Sequence, residues 1–186
     1  MNVQAYDIAK LKEAQGNRLD STSDFWMQAE QLQKELLQQG KKACYIFLDL
    51  ENFRFINMQG DISEGAHLLT EVSALIHQTF PDALITRGAS IQFAVVTGVP
   101  DVRERLIHLH KKALSLRSNN QLDLKAGIFI VSNPQISPIT ASDYAKAACA
   151  HIKKDYQAVY REYDEDLQKH LAIDHYVVTH LEEALK

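Results

Sequence analysis

Asp49, Asn52, Phe53 and Asn57 form the first group of residues whose types and spacing suit chemistry. They follow the apolar run from Ala43 to Leu50, which places Asp49 at the C-terminal end of an expected strand. The main-chain amides of Asn52 and Phe53 then open an expected helix, where N–H groups can face an anion. The second group is Arg87-Gly88-Ala89-Ser90-Ile91-Gln92-Phe93, a tight turn between two strand-like runs that carries no carboxylate. A lone Asp49 should hold magnesium weakly, because that ion needs several oxygen donors in octahedral geometry. Two readings of Asp49 therefore stand: a capping carboxylate at a strand end, or a residual ligand group.

Other reactive side chains point away from chemistry. His108 and His110 are two apart on an expected helix and so face different ways, while His170, His175 and His180 are five apart. Both spacings fail for helical metal ligands, and all five are read as solvated. No local pattern suggests a Ser-His-Asp site. Cys44 lies in a strand-like run and Cys149 in an alanine-rich helical one, which reads as two small buried residues rather than a disulfide or metal ligands. That usage suits a reducing cytoplasm.

The chain has 186 residues with 46% hydrophobic content, enough for one domain with helical ends. Its net charge of -4 and scattered basic residues exclude the positive field that nucleic acid attracts. No apolar stretch approaches the roughly 18 residues of a membrane span, and the N-terminus lacks a basic segment followed by an apolar one. The segment is expected to be soluble and to make no membrane contact, whether or not a longer parent protein is anchored.

Residues 1–22 read as a polar lead-in or linker. Ser23-Asp24 then caps a helix with Phe25, Ala29, Leu32 and Leu36 on one face, stopped by Gly40. Ala43 to Leu50 is a central strand buried on both faces. Leu68, Leu69, Val72, Leu75, Ile76 and Phe80 follow helical spacing up to Pro81-Asp82. Ala83 to Arg87 and Ile91 to Thr97 form a hairpin. Pro100-Asp101 opens a helix with Val102, Leu106, Leu109, Ala113 and Leu116 inward, and the alternation of Leu122, Leu124, Ala126, Ile128 and Ile130 predicts a half-buried strand. Thr140 and Ser142 are expected to cap a helix running to about Lys154. A short strand from Ala158 to Tyr163 and a helix from Asp164 to Leu185 complete an α+β order of elements.

The run Tyr45-Ile46-Phe47-Leu48-Asp49-Leu50-Glu51-Asn52-Phe53-Arg54-Phe55-Ile56-Asn57, taken with the hairpin, resembles the GGDEF domain, the diguanylate cyclase module of bacterial cyclic-di-GMP signalling. The family pattern is Asp-Leu-Asp-x-Phe-Lys-x-Ile-Asn-Asp, then Gly-Asp, then Arg-x-Gly-Gly-Asp-Glu-Phe. Asp49, Leu50, Asn52, Phe53, Ile56, Asn57 and Gly65 match, and Glu51 and Arg54 are conservative replacements. The resemblance implies a nucleotidyl cyclase-like sandwich with a central, mixed, mainly antiparallel five-stranded sheet flanked by helices. It also implies a degenerate GGDEF domain over residues 23–163 and, over 164–186, a helix leading toward an EAL phosphodiesterase domain.

The departures fall on the implied chemistry. The family's metal-binding hairpin carboxylate would lie at Ile91 and its neighbouring Glu at Gln92, while the paired glycines become Ala89 and Ser90, so Ala89, Ser90, Ile91, Gln92 and Phe93 mark a vestigial motif. Only Asp49 remains of the metal shell. Base recognition in the family would use Asn57, which reads equally as a helix-start hydrogen bonder, and an Asp at the position of Ala66. The inhibitory-site positions fall at Phe80 and Ala83, so that site is expected to be absent. Lys153 and Lys154 lie near the family's late phosphate-binding lysine without the Gly-Arg that follows it. The expectation is a catalytically inactive regulatory or interaction domain. It has no catalytic residues, no resident cofactor and at most weak GTP and magnesium binding, through Asp49, Asn52, Phe53 and Asn57. Its expected partners are an adjoining EAL domain or another signalling protein, or a second copy of itself. The rivals are a functional diguanylate cyclase, a GTP-sensing domain and an unrelated α+β interaction domain.

Overall fold

The computed structural model describes residues 22–53, 62–88, 91–116, 122–153, 155 and 157–184. Of the lead-in expected over residues 1–22, residues 1–21 lie outside them, as do Asn57, Ala89, Ser90 and Lys154; Thr22 already belongs to the first helix, so Ser23 and Asp24 lie within that helix rather than capping it.

Helix α1, Thr22–Gln38, buries Phe25, Ala29 and Leu36 on one face, and the chain turns out of it at Gly40 in the left-handed region, φ +69°. Strand β1, Ala43–Glu51, is buried along its whole length up to Leu50. Helix α2, Ile62–Thr79, stops before Pro81 as expected, and the hairpin strands β2, Leu84–Arg87, and β3, Gln92–Thr97, follow. Helix α3 is Val102–Ser115, strand β4 Asp123–Val131, helix α4 Pro138–His151, strand β5 Tyr160–Glu162, and helix α5 Glu165–Ala184.

The sheet order is β2-β3-β1-β4-β5, with β4 and β5 parallel and every other pair antiparallel. This is the mixed, mainly antiparallel five-stranded sheet that the sequence predicts. Strand alternation divides the core into two layers. Cys44, Ile46, Leu48 and Leu50 meet Leu68, Val72 and Ile76 of α2 and Leu106 and Leu109 of α3. Tyr45 and Phe47 on the opposite face meet Phe25 and Ala29 of α1 and Ala141, Ala145 and Cys149 of α4.

Two expectations need correction. Strand β4 is buried on both faces rather than half-buried: the residues between its apolar positions, Lys125, Gly127 and Phe129, are covered on the α4 side. Gly127 permits this packing, since a Cβ built on it would lie 1.8 Å from the Ala145 carbonyl oxygen and 2.4 Å from the Cys149 nitrogen. The cap of α4 is Ser137, not Thr140 or Ser142, and the helix ends at His151. The Ser137 hydroxyl accepts from the Thr140 amide at 3.1 Å, and Pro138 occupies the first turn, where no intrahelical donor is needed.

Candidate functional site

The candidate site lies where β1 runs out. Asp49 is paired in register with Gln92 on β3 and with Lys125 on β4, so the three side chains share the face covered by α4. Asp49 is only 2% exposed, and a carboxylate removed from water requires donors or a counter-charge. It has both. Gln92 Nε2 donates to Asp49 Oδ2 at 3.3 Å, and Lys153 Nζ donates to the same oxygen at 2.5 Å. The same ammonium lies 3.2 Å from Glu51 Oε1. The hydrogen bond to Asp49 is the main reason the Lys153 ammonium is held above the ordinary lysine value; Glu51 adds to it, against partial burial.

Lys125, beside Asp49, is 1% exposed and does different work. Its Nζ donates to the Asp155 and Ala158 carbonyls at 2.7 and 2.6 Å and pairs with Asp123 Oδ2 at 3.1 Å, stitching β4 to the segment entering β5. His110, expected to be solvated, is instead half-buried: its Nδ1 lies 3.0 Å from the Leu124 carbonyl oxygen and 3.6 Å from Asp123 Oδ1. The reason is tertiary, because α3 crosses the start of β4 at this histidine. Asp123 Oδ1 is buried without a hydrogen-bond partner among the described residues. His108, His170 and His180 are exposed, as expected.

The other predicted positions separate. Ile91 is half-buried against the α2–α3 layer, and its carbonyl accepts from the Leu50 amide at 3.4 Å, so Gln92 is the hairpin residue that reaches Asp49. Phe93 and Phe53 belong to the same apolar layer, while Asn52 is exposed with φ +64°, an uncommon conformation for a side-chain-bearing residue that turns the chain sharply out of β1. Ala66 is exposed on α2, Phe80 is buried in the core and Ala83 is half-buried.

The donors present fit a magnesium ion poorly. Asp49 Oδ2 already meets Lys153 and Gln92, Glu51 shares that lysine, and Ile91 contributes an apolar side chain. Among the described residues no group of three His, Cys, Asp or Glu side chains could hold a metal ion. Sequence reasoning gave Asp49 but missed Lys125 as a buried residue, and it noted Lys153 only by its nearness to a family lysine. Neither carries a local signal, since an isolated lysine usually marks a solvated surface.

A sheet with this order, sandwiched between two helical layers with an acidic residue at the end of its central strand, defines the GGDEF-type α+β fold. No protein-family model and no curated protein matches the sequence. Solved structures do. The GGDEF domain of DgcB from Caulobacter crescentus, in complex with c-di-GMP, is 17% identical, with a TM-score of 0.63 over 73% of this chain and 86% of that one. The active GGEEF domain of a diguanylate cyclase from Vibrio cholerae is 16% identical, with a TM-score of 0.65 over 80% of this chain and 99% of that one. An EAL/GGDEF domain protein from M. capsulatus is 20% identical, with a TM-score of 0.54 over 72% of this chain and 97% of that one. At these identities the likeness establishes the fold.

Proposed function

We propose that this domain is a catalytically inactive GGDEF-like regulatory or interaction module of bacterial cyclic-di-GMP signalling that acts in the cytoplasm on an adjoining EAL phosphodiesterase domain. The observation that carries the reading is the cross-strand pairing of Asp49 with Gln92. A phosphoryl-transfer site needs carboxylates here to hold divalent ions and help activate a hydroxyl. The hairpin instead presents an amide that donates a hydrogen bond to the remaining acid. A neutral amide neither holds a metal strongly nor takes a proton at neutral pH.

The same geometry supports weak or absent GTP binding, since Asp49 is already bonded on two sides. Helix α5 supports the interaction role: Leu167 is anchored in the domain, whereas Ile173, Tyr176 and Val177 are exposed beyond it. Buried free thiols at Cys44 and Cys149 suit a reducing compartment, and among the described residues no helix is long and apolar enough to cross a membrane. The test is prolonged incubation of the purified domain with GTP and magnesium or manganese, followed by chromatography. No cyclic-di-GMP is expected, and product that disappears in Asp49→Ala would overturn the proposal.

A further inference from the structure

We propose that Lys153 is a resident counter-ion, its ammonium holding the place between Asp49 and Glu51 that a divalent cation would otherwise take. The inference deepens the inactive-domain reading and rests on it. One ammonium meets both carboxylates, at 2.5 Å from Asp49 Oδ2 and 3.2 Å from Glu51 Oε1. Asp49, at 2% exposed, is the acid that cannot rely on water for its charge. Of its neighbours across the sheet, Gln92 is neutral, and the Lys125 ammonium, although positive, is turned to the Asp155 and Ala158 carbonyls and to Asp123.

Lys153 suits this role because of where it is anchored. It follows Ile152, the buried residue that caps the C-terminal end of α4 and whose amide bonds back to the Cys149 carbonyl, so the lysine stem starts from a fixed point above β1. Its side chain remains 38% exposed, so the ammonium keeps part of its hydration while neutralising an acid that has lost nearly all of its own. A divalent ion entering this site would have to displace an ammonium already bonded to both carboxylates, and would meet its repulsion until it did.

The experiment compares urea unfolding of the wild-type domain, Lys153→Met and Lys153→Met with Asp49→Asn, each with and without about 10 mM Mn2+, an excess large enough for weak binding to register as stabilisation. Methionine keeps an unbranched apolar stem and removes the ammonium, with both its charge and its hydrogen-bond donors. The wild-type midpoint should not move with Mn2+. Lys153→Met should unfold at lower urea in metal-free buffer and recover when Mn2+ is added, and the double variant should be insensitive to the metal. If Lys153→Met does not fold without metal, recovery of its circular dichroism on adding Mn2+ is the same readout. A wild-type response as large as that of Lys153→Met, or no response in either, overturns the inference. Cyclic-di-GMP synthesis by the wild-type domain would sink the inactive reading, whereas indifference of Lys153→Met to Mn2+ would sink this inference alone.

Discussion

Lys125→Met should be among the more destabilising single changes in the domain. The substitution leaves an apolar stem of similar length beneath α4 and removes an ammonium that is 1% exposed. Two carbonyl oxygens, of Asp155 and Ala158, lose a charged donor, and Asp123 loses a cation 3.1 Å away. Hydrogen bonds to charged groups contribute about 1.5 to 3 kcal/mol each, and breaking a buried ion pair from one side costs about 3 to 5 kcal/mol. Methionine is also relieved of the desolvation that lysine bears in the folded state, which offsets part of the sum. A net loss of about 3 to 4 kcal/mol follows, which is a large share of a typical domain's 5 to 15 kcal/mol, on the order of magnitude expected for single-domain proteins. With a urea slope of about 2 kcal/mol per molar, the midpoint should fall by roughly 1.5 to 2 M at neutral pH. Adding Asp123→Asn to Lys125→Met should recover about 1 kcal/mol, because it removes the charge left unpaired while the two carbonyls still lack their donor. A single variant within about 1 kcal/mol of wild type would refute the reasoning, since it would mean that water reaches those carbonyls once the ammonium is gone.

Two further changes probe packing against the sheet. Gly127→Ala should cost at least about 3 kcal/mol, because the added methyl meets helix backbone at Ala145 and Cys149 rather than a side chain that can turn aside; a urea midpoint equal to wild type would contradict the close packing. Alkaline pH should weaken the fold through its thiols. Burial pushes Cys44 up to about 11 and Cys149 up to about 12 from an ordinary value of 9.0. Both folded values are raised, so their contribution is fully present below the unfolded thiol value and is lost as pH rises through the folded ones. Stability should therefore fall by up to about 1.4 kcal/mol per pH unit per thiol above pH about 9, and urea midpoints of Cys44→Ala with Cys149→Ala should fall less steeply there; equal slopes would refute it.

The sequence by itself determined the order of elements, because apolar periodicity records which face of each segment is removed from water. The run from Ala43 to Leu50 could only be a strand covered on both sides, and its place at the centre of the sheet follows from that composition. The hairpin, with an apolar residue where an acid would serve chemistry, was legible for the same reason. Local hydrogen bonding was less so: Ser137, Thr140 and Ser142 are all competent caps, and only the path of the chain into α4 selects Ser137.

The surroundings of Asp49 were decided by tertiary structure alone. Lys153 reaches Asp49 across a sequence separation of 104 residues, through the register of β1 with β4 and the packing of α4 over Gly127. Lys125 interrupts an apolar alternation as a surface lysine would, yet is buried because the carbonyls of Asp155 and Ala158 converge on its ammonium. His110 was misplaced for the same reason, since spacing along a helix says which residues share a face but not what that face meets. A residue's polarity reports the cost of burying it, and the groups that offset that cost are brought within hydrogen-bonding distance only by the fold.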